Sequence, residues 1–160
     1  MWRRLLLTID QFESGQTALE FTARLASATG ADVRVLHMRE LGIYARVPPL
    51  ETPADAQYLV DESVFSLRLA GIGAEGQACS VRGDRVAGRI VEEASTWHCD
   101  AIVLGSRRLR GIERLSGHGV RDGVLRLSPL PVITAPSPVA NGVHDRLGYV
   151  VDAVDRRKAR

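Results

Sequence analysis

Four arginines lie close together in one short stretch of this sequence, directly after an apolar run. The run at 101–104 ends abruptly at Gly105 and Ser106, and 119–127 shows the apolar spacing of a helix. The arginines between them are Arg107, Arg108, Arg110 and Arg114. Exposed amides and the dipole at a helix N-terminus favour an anion, and guanidinium groups add positive charge. The stretch therefore predicts an anion site between a strand end and a helix start.

Two residue combinations suggest other chemistry, and neither is complete. Ser106 and His118 are a conceivable nucleophile and base, but no third group orients them and no G-x-S-x-G turn surrounds the serine. His98, Cys99 and Asp100 are adjacent, but neighbouring residues entering a strand point to opposite faces, whereas a metal needs three or four converging ligands. The sequence also has no Gly-Lys-Ser/Thr phosphate loop. It predicts neither a metal site nor an enzyme.

Composition indicates an ordinary cytoplasmic protein. The chain has 160 residues, 45% apolar and 25% charged, with a net charge of +2, so no overall field attracts nucleic acid or a membrane surface. Cys79 and Cys99 form no CxxC pattern and are typical of small buried residues in a reducing compartment. No apolar run approaches the ~20 residues of a membrane span.

Strand and helix patterns alternate along the chain. Strands are predicted at 4–9, 33–38, 75–81, 101–104 and 132–133. Helices are predicted at 15–29, 54–70, 85–96 and 119–127, with a loop over 40–53. Alternating patterns of this length predict a parallel sheet with right-handed crossovers, hence one doubly wound α/β domain.

The pattern changes after residue 136. A polar linker precedes a segment in which Leu147, Val150, Val151 and Val154 follow helical spacing, with a basic end at 156–158. We therefore divide the chain into a domain at 1–136 and a tail at 137–160. The tail is a partner-binding helix, an arm that caps a dimer, or a disordered end.

Four segments resemble the universal stress protein family, and together they span residues 3–136. They are LLLTID at 5–10, VRVLHM at 33–38, CDAIVLGSR at 99–107 and SPLPVITAP at 128–136. The resemblance implies a five-stranded parallel sheet of order 3-2-1-4-5, similar to the adenine-nucleotide α-hydrolases.

The resemblance also implies a ligand site. Some members bind ATP or related adenine nucleotides, whose adenosine end is held by an acidic residue after the first strand, here Asp10, and by the residue that ends the second, here Met38. The phosphate motif is Gly, two residues, Gly, nine residues, then Gly-Ser or Gly-Thr. Gly105 matches its first glycine, whereas Arg108 replaces the second. The residues implied to contact nucleotide are Thr8, Ile9, Asp10, Met38, Gly105, Arg107, Arg108, His118, Gly119 and Val120.

Several of these residues have two interpretations. Asp10 contacts ribose or adenine, or it interacts with the N-terminus of the first helix. His118 and Gly119 occupy the positions at which the family has Gly-Ser or Gly-Thr. Either Arg107 or Arg108 then holds the phosphate in place of backbone amides, or a different anion is bound. His37 is expected to be a half-buried histidine with its hydrogen bonds satisfied.

The function implied by the resemblance is regulatory. The protein binds ATP, with magnesium, or AMP in this cleft without catalysis, forms a homodimer through the strand at Val132 and Ile133, and acts on a protein partner. The alternative is a nucleotide-free, dimeric interaction module of the same fold.

Overall fold

The described strands form one parallel sheet. The computed structural model describes residues 1–11, 13–41, 51–105 and 119–136. Within these ranges the strands are β1 (Arg4–Ile9), β2 (Asp32–Leu41), β3 (Ala74–Arg82), β4 (Ala101–Leu104) and β5 (Val132–Thr134). They pair in parallel in the order β3-β2-β1-β4-β5, which confirms the predicted topology.

Helices connect the strands. They are α1 (Glu13–Thr29), α2 (Pro53–Leu69), α3 (Val86–Thr96) and α4 (Val120–Leu127), and a short 3₁₀ turn at Gly83–Arg85 precedes α3. Thr52 begins α2 through a capping box with Asp55, and Pro53 is its first residue. Gly30 follows α1 with a φ of 72°, a left-handed conformation that glycine adopts at little cost.

The helices cover both faces of the sheet. Leu5 and Leu7 belong to a core cluster that includes α1 and α2, whereas Leu6 belongs to a second cluster with α3 and α4. All three leucines are fully buried, and such burial contributes ~1.5–3 kcal/mol per side chain. This two-sided burial explains why β1 is a continuous apolar run and not an alternating one.

Some predicted boundaries need correction. The predicted loop at 40–53 begins within β2, because Glu40 and Leu41 pair with the end of β3, and it ends within α2. Residues 42–50 lie outside the described part of the chain. These corrections lengthen the β2–β3 ribbon at the carboxyl edge of the sheet.

Two side chains are more exposed than expected. Leu127 follows the apolar spacing of α4, yet its side chain is 51% exposed. It is the last residue of α4, one turn beyond the tight contact between Gly123 and Ala87. Cys79 was expected to be buried, whereas it is half-buried on β3, a strand with no fully buried residue.

Within the described residues, no helix is both long and apolar enough to cross a membrane.

Candidate functional site

The carboxyl ends of β1, β2 and β4 meet at one edge of the sheet. Leu7 pairs with Val103 on β4, and Thr8 pairs with Leu36 on β2. The hydroxyl of Thr8 donates to the Val103 carbonyl at 3.4 Å. In doubly wound folds, ligands bind outside this edge, at the point where the strand order reverses. At that point the next strand of the chain lies on one side of the first strand, and a later strand lies on its other side.

Three predicted site residues share one side of this edge. Met38 and Val120 are half-buried and pack against the core cluster that includes α3 and α4. Thr8 lies two residues after Leu6, which belongs to that cluster, so Thr8 is on the same face of β1. The structure thus places residues from β1, β2 and α4, which are far apart in sequence, on one face of the sheet.

The start of α4 completes this side of the edge. Gly119 is the N-cap residue, with φ −61° and ψ 141°, and its carbonyl accepts from the amide of Gly123. A glycine has no side chain to satisfy the amides of the first turn. These donors, together with the helix dipole, favour an anion.

Ile9 and Asp10 are oriented differently. The Ile9 side chain is buried in the α1/α2 cluster, so only its backbone is available at the edge. The Asp10 carboxylate accepts a hydrogen bond from Ser14 Oγ, at 3.1 and 2.9 Å to its two oxygens, and one from the Gly15 amide at 3.1 Å. Asp10 therefore has a structural role at the start of α1, one of its two predicted interpretations.

Gly105 also has a structural reason to be glycine. A Cβ at this position would lie 3.0 Å from the backbone oxygen of Ser14, closer than side chains normally approach. The end of β4 thus contacts the first turn of α1. This contact and the bonds of Asp10 hold α1 against the ends of β4 and β1.

A buried histidine anchors the end of β2, and the sequence did not indicate its acidic partner. His37 Nδ1 lies 3.0 Å from the Ile9 carbonyl, and Nε2 lies 2.9 Å from both carboxylate oxygens of Glu51. Arg39 Nε donates to the Glu51 carbonyl at 2.6 Å. His37 is satisfied, as predicted, but is buried and not half-buried. Glu51 was not singled out because it is separated from the histidine by the poorly patterned stretch 42–50.

Three predicted site residues cannot be placed. Arg107, Arg108 and His118 lie outside the described residues, as does Ser106. Their roles in holding phosphate stay predictions.

His98, Cys99 and Asp100 lie at the opposite edge of the sheet, before β4. The Asp100 carboxylate accepts from the amides of Arg3 and Arg4 at 2.6 and 2.8 Å, and these bonds lower its pKa. Burial raises the pKa of Cys99 to about 12. In the ranges that the structure describes, no group of three or more His, Cys, Asp or Glu residues could hold a metal ion. These three residues connect β4 to β1 and α3.

Comparison with known proteins identifies the family. Residues 1–136 match the universal stress protein family. The chain belongs to this family. No curated protein matches the sequence at a significant level.

Solved structures of the family share the fold. A universal stress protein from Archaeoglobus fulgidus is 24% identical with a TM-score of 0.64, and the match covers 85% of this chain and 95% of that one. A structure of a universal stress protein from Archaeoglobus fulgidus in complex with dAMP is 24% identical with a TM-score of 0.62, and the match covers 84% of this chain and 98% of that one. A family protein from Arabidopsis thaliana with AMP bound is 17% identical with a TM-score of 0.61, covering 84% and 92%. At these identities the similarity establishes the fold alone.

Proposed function

We propose that this universal stress protein binds an adenine nucleotide of the AMP or ATP class at the carboxyl edge of its sheet, as a regulatory ligand and not as a substrate. The observation that carries the proposal is that Thr8 and Met38 lie on the face of the sheet against which Val120, the first residue of α4, also packs, after an N-cap residue that is glycine. A half-buried apolar side suits a base, and the helix start suits a phosphate.

The family supports the class of ligand. Two of its solved structures contain dAMP and AMP. A monophosphate needs one anion site, and the start of α4 supplies one with described residues. Magnesium would accompany ATP, whose further phosphates would lie near Arg107, Arg108 and His118. We therefore expect AMP to depend less on those three residues than ATP does.

The first test is a thermal-shift and calorimetric titration of purified protein with AMP, dAMP, cyclic AMP and ATP, the last with and without magnesium. A ligand that binds only the native state stabilises it by RT ln(1 + [L]/Kd), which is ~2.7 kcal/mol at a concentration of ~100 Kd. Saturable stabilisation below millimolar concentration supports the proposal. A flat response to every nucleotide at millimolar concentration contradicts it.

Substitutions at Gly119 separate loss of the site from loss of the fold. Gly119→Asp places a good N-cap residue at the start of α4, so it should stabilise the helix slightly, by roughly a few tenths of a kcal/mol. Its carboxylate would also occupy the phosphate position and repel the phosphate group. Nucleotide affinity should therefore fall at least about tenfold, or ~1.4 kcal/mol. Gly119→Asn is the matched control, because it caps without the charge. Equal affinity of the two variants would place the phosphate elsewhere.

Asp10 needs a control of a different kind, because its removal also weakens the start of α1. Ser14→Ala removes one of its hydrogen bonds and leaves the carboxylate in place. If Asp10 contacts ribose, Asp10→Ala should abolish binding whereas Ser14→Ala should retain it. If both variants bind nucleotide like the wild type, Asp10 is structural only.

A second candidate function is a dimeric interaction module that needs no nucleotide. This candidate function is favoured by β5, which pairs with β4 and in which Val132 and Ile133 are half-buried. An apolar edge strand can pair with another chain. We propose a homodimer through β5 for both functions, so the nucleotide titration distinguishes them. A cytoplasmic location, based on cysteine usage, stays a prediction.

A further inference from the structure

An apolar stripe runs along the outer surface of α2. Tyr58, Phe65 and Leu69 are 64%, 62% and 73% exposed. Their spacing of seven and four residues aligns them along one side of the helix. The opposite side packs into the core through Val60, Val64 and Leu67. We call Tyr58, Phe65 and Leu69 the α2 stripe. Three large apolar side chains in line on one helix differ from the isolated exposed residues of an ordinary surface.

Acidic residues flank the α2 stripe. Asp61 and Glu62 are exposed within the same two turns, and the Tyr58 hydroxyl donates to Glu62 at 3.0 Å. The one basic residue of the helix, Arg68, donates through Nε to the Ala74 carbonyl at 2.8 Å. An occupant of this surface should therefore combine an apolar face with positive charge.

The tail of this chain has that composition. Its apolar residues are Leu147, Val150, Val151 and Val154, at helical spacing. The basic residues that follow them are Arg156, Arg157, Lys158 and Arg160. An amphipathic segment with a basic end complements an apolar helix face with an acidic flank.

The tail is also long enough to reach α2 of its own molecule. The described chain ends after β5, at Pro136, and α2 packs over β2 and β3. The sheet order places β2 three strands from β5 and β3 four strands away, which is ~14–19 Å at ~4.8 Å per strand. Residues 137–146 in extended form span up to ~33 Å. The linker is thus long enough to extend across the sheet and reach the helix layer that contains α2.

We propose that residues 147–158 dock on the α2 stripe of the same molecule, with the basic end against Asp61 and Glu62. The docked tail covers the stripe and makes α2 unavailable to other proteins.

The sequence allows a direct test, because Lys158 is the only lysine of the chain. Zero-length carbodiimide coupling of the full-length protein, followed by peptide mass spectrometry, should join Lys158 to Asp61 or Glu62. The reaction is run on an equal mixture of ¹⁴N- and ¹⁵N-labelled protein. Crosslinked peptides of uniform isotope composition support the proposal. Mixed-isotope crosslinks would overturn it in favour of docking on a second copy.

Hydrogen exchange tests the apolar contact. Backbone amides of 147–154 should exchange at least about tenfold more slowly in the wild type than in Phe65→Gln/Leu69→Gln. The matched control is Leu125→Gln/Leu127→Gln, which removes two exposed leucines of α4, 52% and 51% exposed, and should leave that protection intact. Unprotected tail amides in the wild type, or protection that survives loss of the stripe, would overturn the proposal.

Discussion

Individual residues at the start of α1 determine how closely this helix packs against the carboxyl edge of the sheet. Gly15 approaches Asp10 so closely that an added Cβ would lie 2.3 Å from the Asp10 carbonyl oxygen and 2.9 Å from its amide nitrogen. Both atoms are backbone, so no side chain can rotate away. Gly15 is therefore required for close approach, and its neighbour Ser14 supplies the hydroxyl that Asp10 accepts.

We predict that Gly15→Ala destabilises the protein by ~1–3 kcal/mol, the usual effect of overpacking. Gly88→Ala is the matched control, since Gly88 is an exposed helical glycine whose added Cβ would have nothing within 4 Å apart from its chain neighbours and the backbone of its own helix. That control should stabilise by up to ~1 kcal/mol through helix propensity. Urea denaturation of both variants measures the difference. Equal stabilities would mean that the contact with Asp10 relaxes without cost.

The two cysteines should differ in reactivity. Burial raises the pKa of Cys99 to about 12, so almost no thiolate is present at pH 8, whereas Cys79 is half-buried on β3. Iodoacetamide at pH 8 should alkylate Cys79 in the native protein and Cys99 only after unfolding. Peptide mass spectrometry identifies the modified residue. Labelling of Cys99 at the same rate as Cys79 would contradict the burial.

At the scale of elements, Asp100 connects the starts of β1 and β4. Its carboxylate accepts from the Arg3 and Arg4 amides, and its pKa is lowered chiefly for this reason. An acid with a lower pKa in the folded state stabilises the fold above its unfolded value of about 3.9, and this contribution is lost as the pH falls through the folded value.

Asp100→Asn should therefore be less stable than the wild type at pH 7, because the amide retains an acceptor oxygen but loses the charge. The difference should shrink as the pH is lowered below about 4, where the wild-type carboxyl becomes protonated. Denaturation curves of both proteins across this range measure it. A difference independent of pH would mean that the charge contributes nothing.

The sequence predicted some elements better than others for physical reasons. The bounds of β1 and β4 were correct because both strands are short apolar runs, buried on two faces. The end of β2 was predicted too early, because the last residues of this strand are polar. They are held by pairing with β3, as between Arg39 and Ser80. Glu93 of α3 is only 5% exposed, and its charge gave no indication of this burial. It is paired with Arg34 of β2 and Arg89 of its own helix, and the first partner is distant in sequence.

Prediction of the candidate site was limited in the same way. Which residues end β1 and β4 could be read from the chain, and parallel topology then placed them at one edge, whereas β2 extends to Leu41 and not only to Met38, its predicted last residue. The orientation of Asp10 towards α1 could not be read, because it depends on contacts within a turn of irregular backbone. The pairing of His37 with Glu51 depends on where the chain returns after residues 42–50, which no local pattern specifies.

At the scale of the whole molecule, the orientation of β5 bears on the proposed homodimer. The Ala135 amide donates to the Leu104 carbonyl at 2.8 Å, so Ala135 faces β4. Because successive amides alternate in direction along a strand, the Thr134 amide points away from β4, towards the open side of the described sheet. It is available to pair with a second chain.

We therefore predict that Thr134→Pro keeps the fold of the monomer, since proline is tolerated where an edge amide faces outward, but prevents pairing through β5. Thr134→Ala retains the amide and is the matched control. Sedimentation equilibrium should show a monomer for the proline variant and a dimer for the control, with unchanged circular dichroism. A proline variant that remains dimeric would place the dimer interface elsewhere.

The contacts of His37 also determine how fast its ring Nδ1 proton exchanges with water. The Ile9 carbonyl can only accept, so Nδ1 donates to it at 3.0 Å, and Nε2 lies 2.9 Å from Glu51. The side chain is 6% exposed, so the Nδ1 proton does not reach solvent while these contacts persist. Exchange then requires Glu51, and with it the start of α2, to separate from the sheet. The lifetime of this ring proton in NMR therefore reports how often the molecule opens beside the carboxyl edge of its sheet.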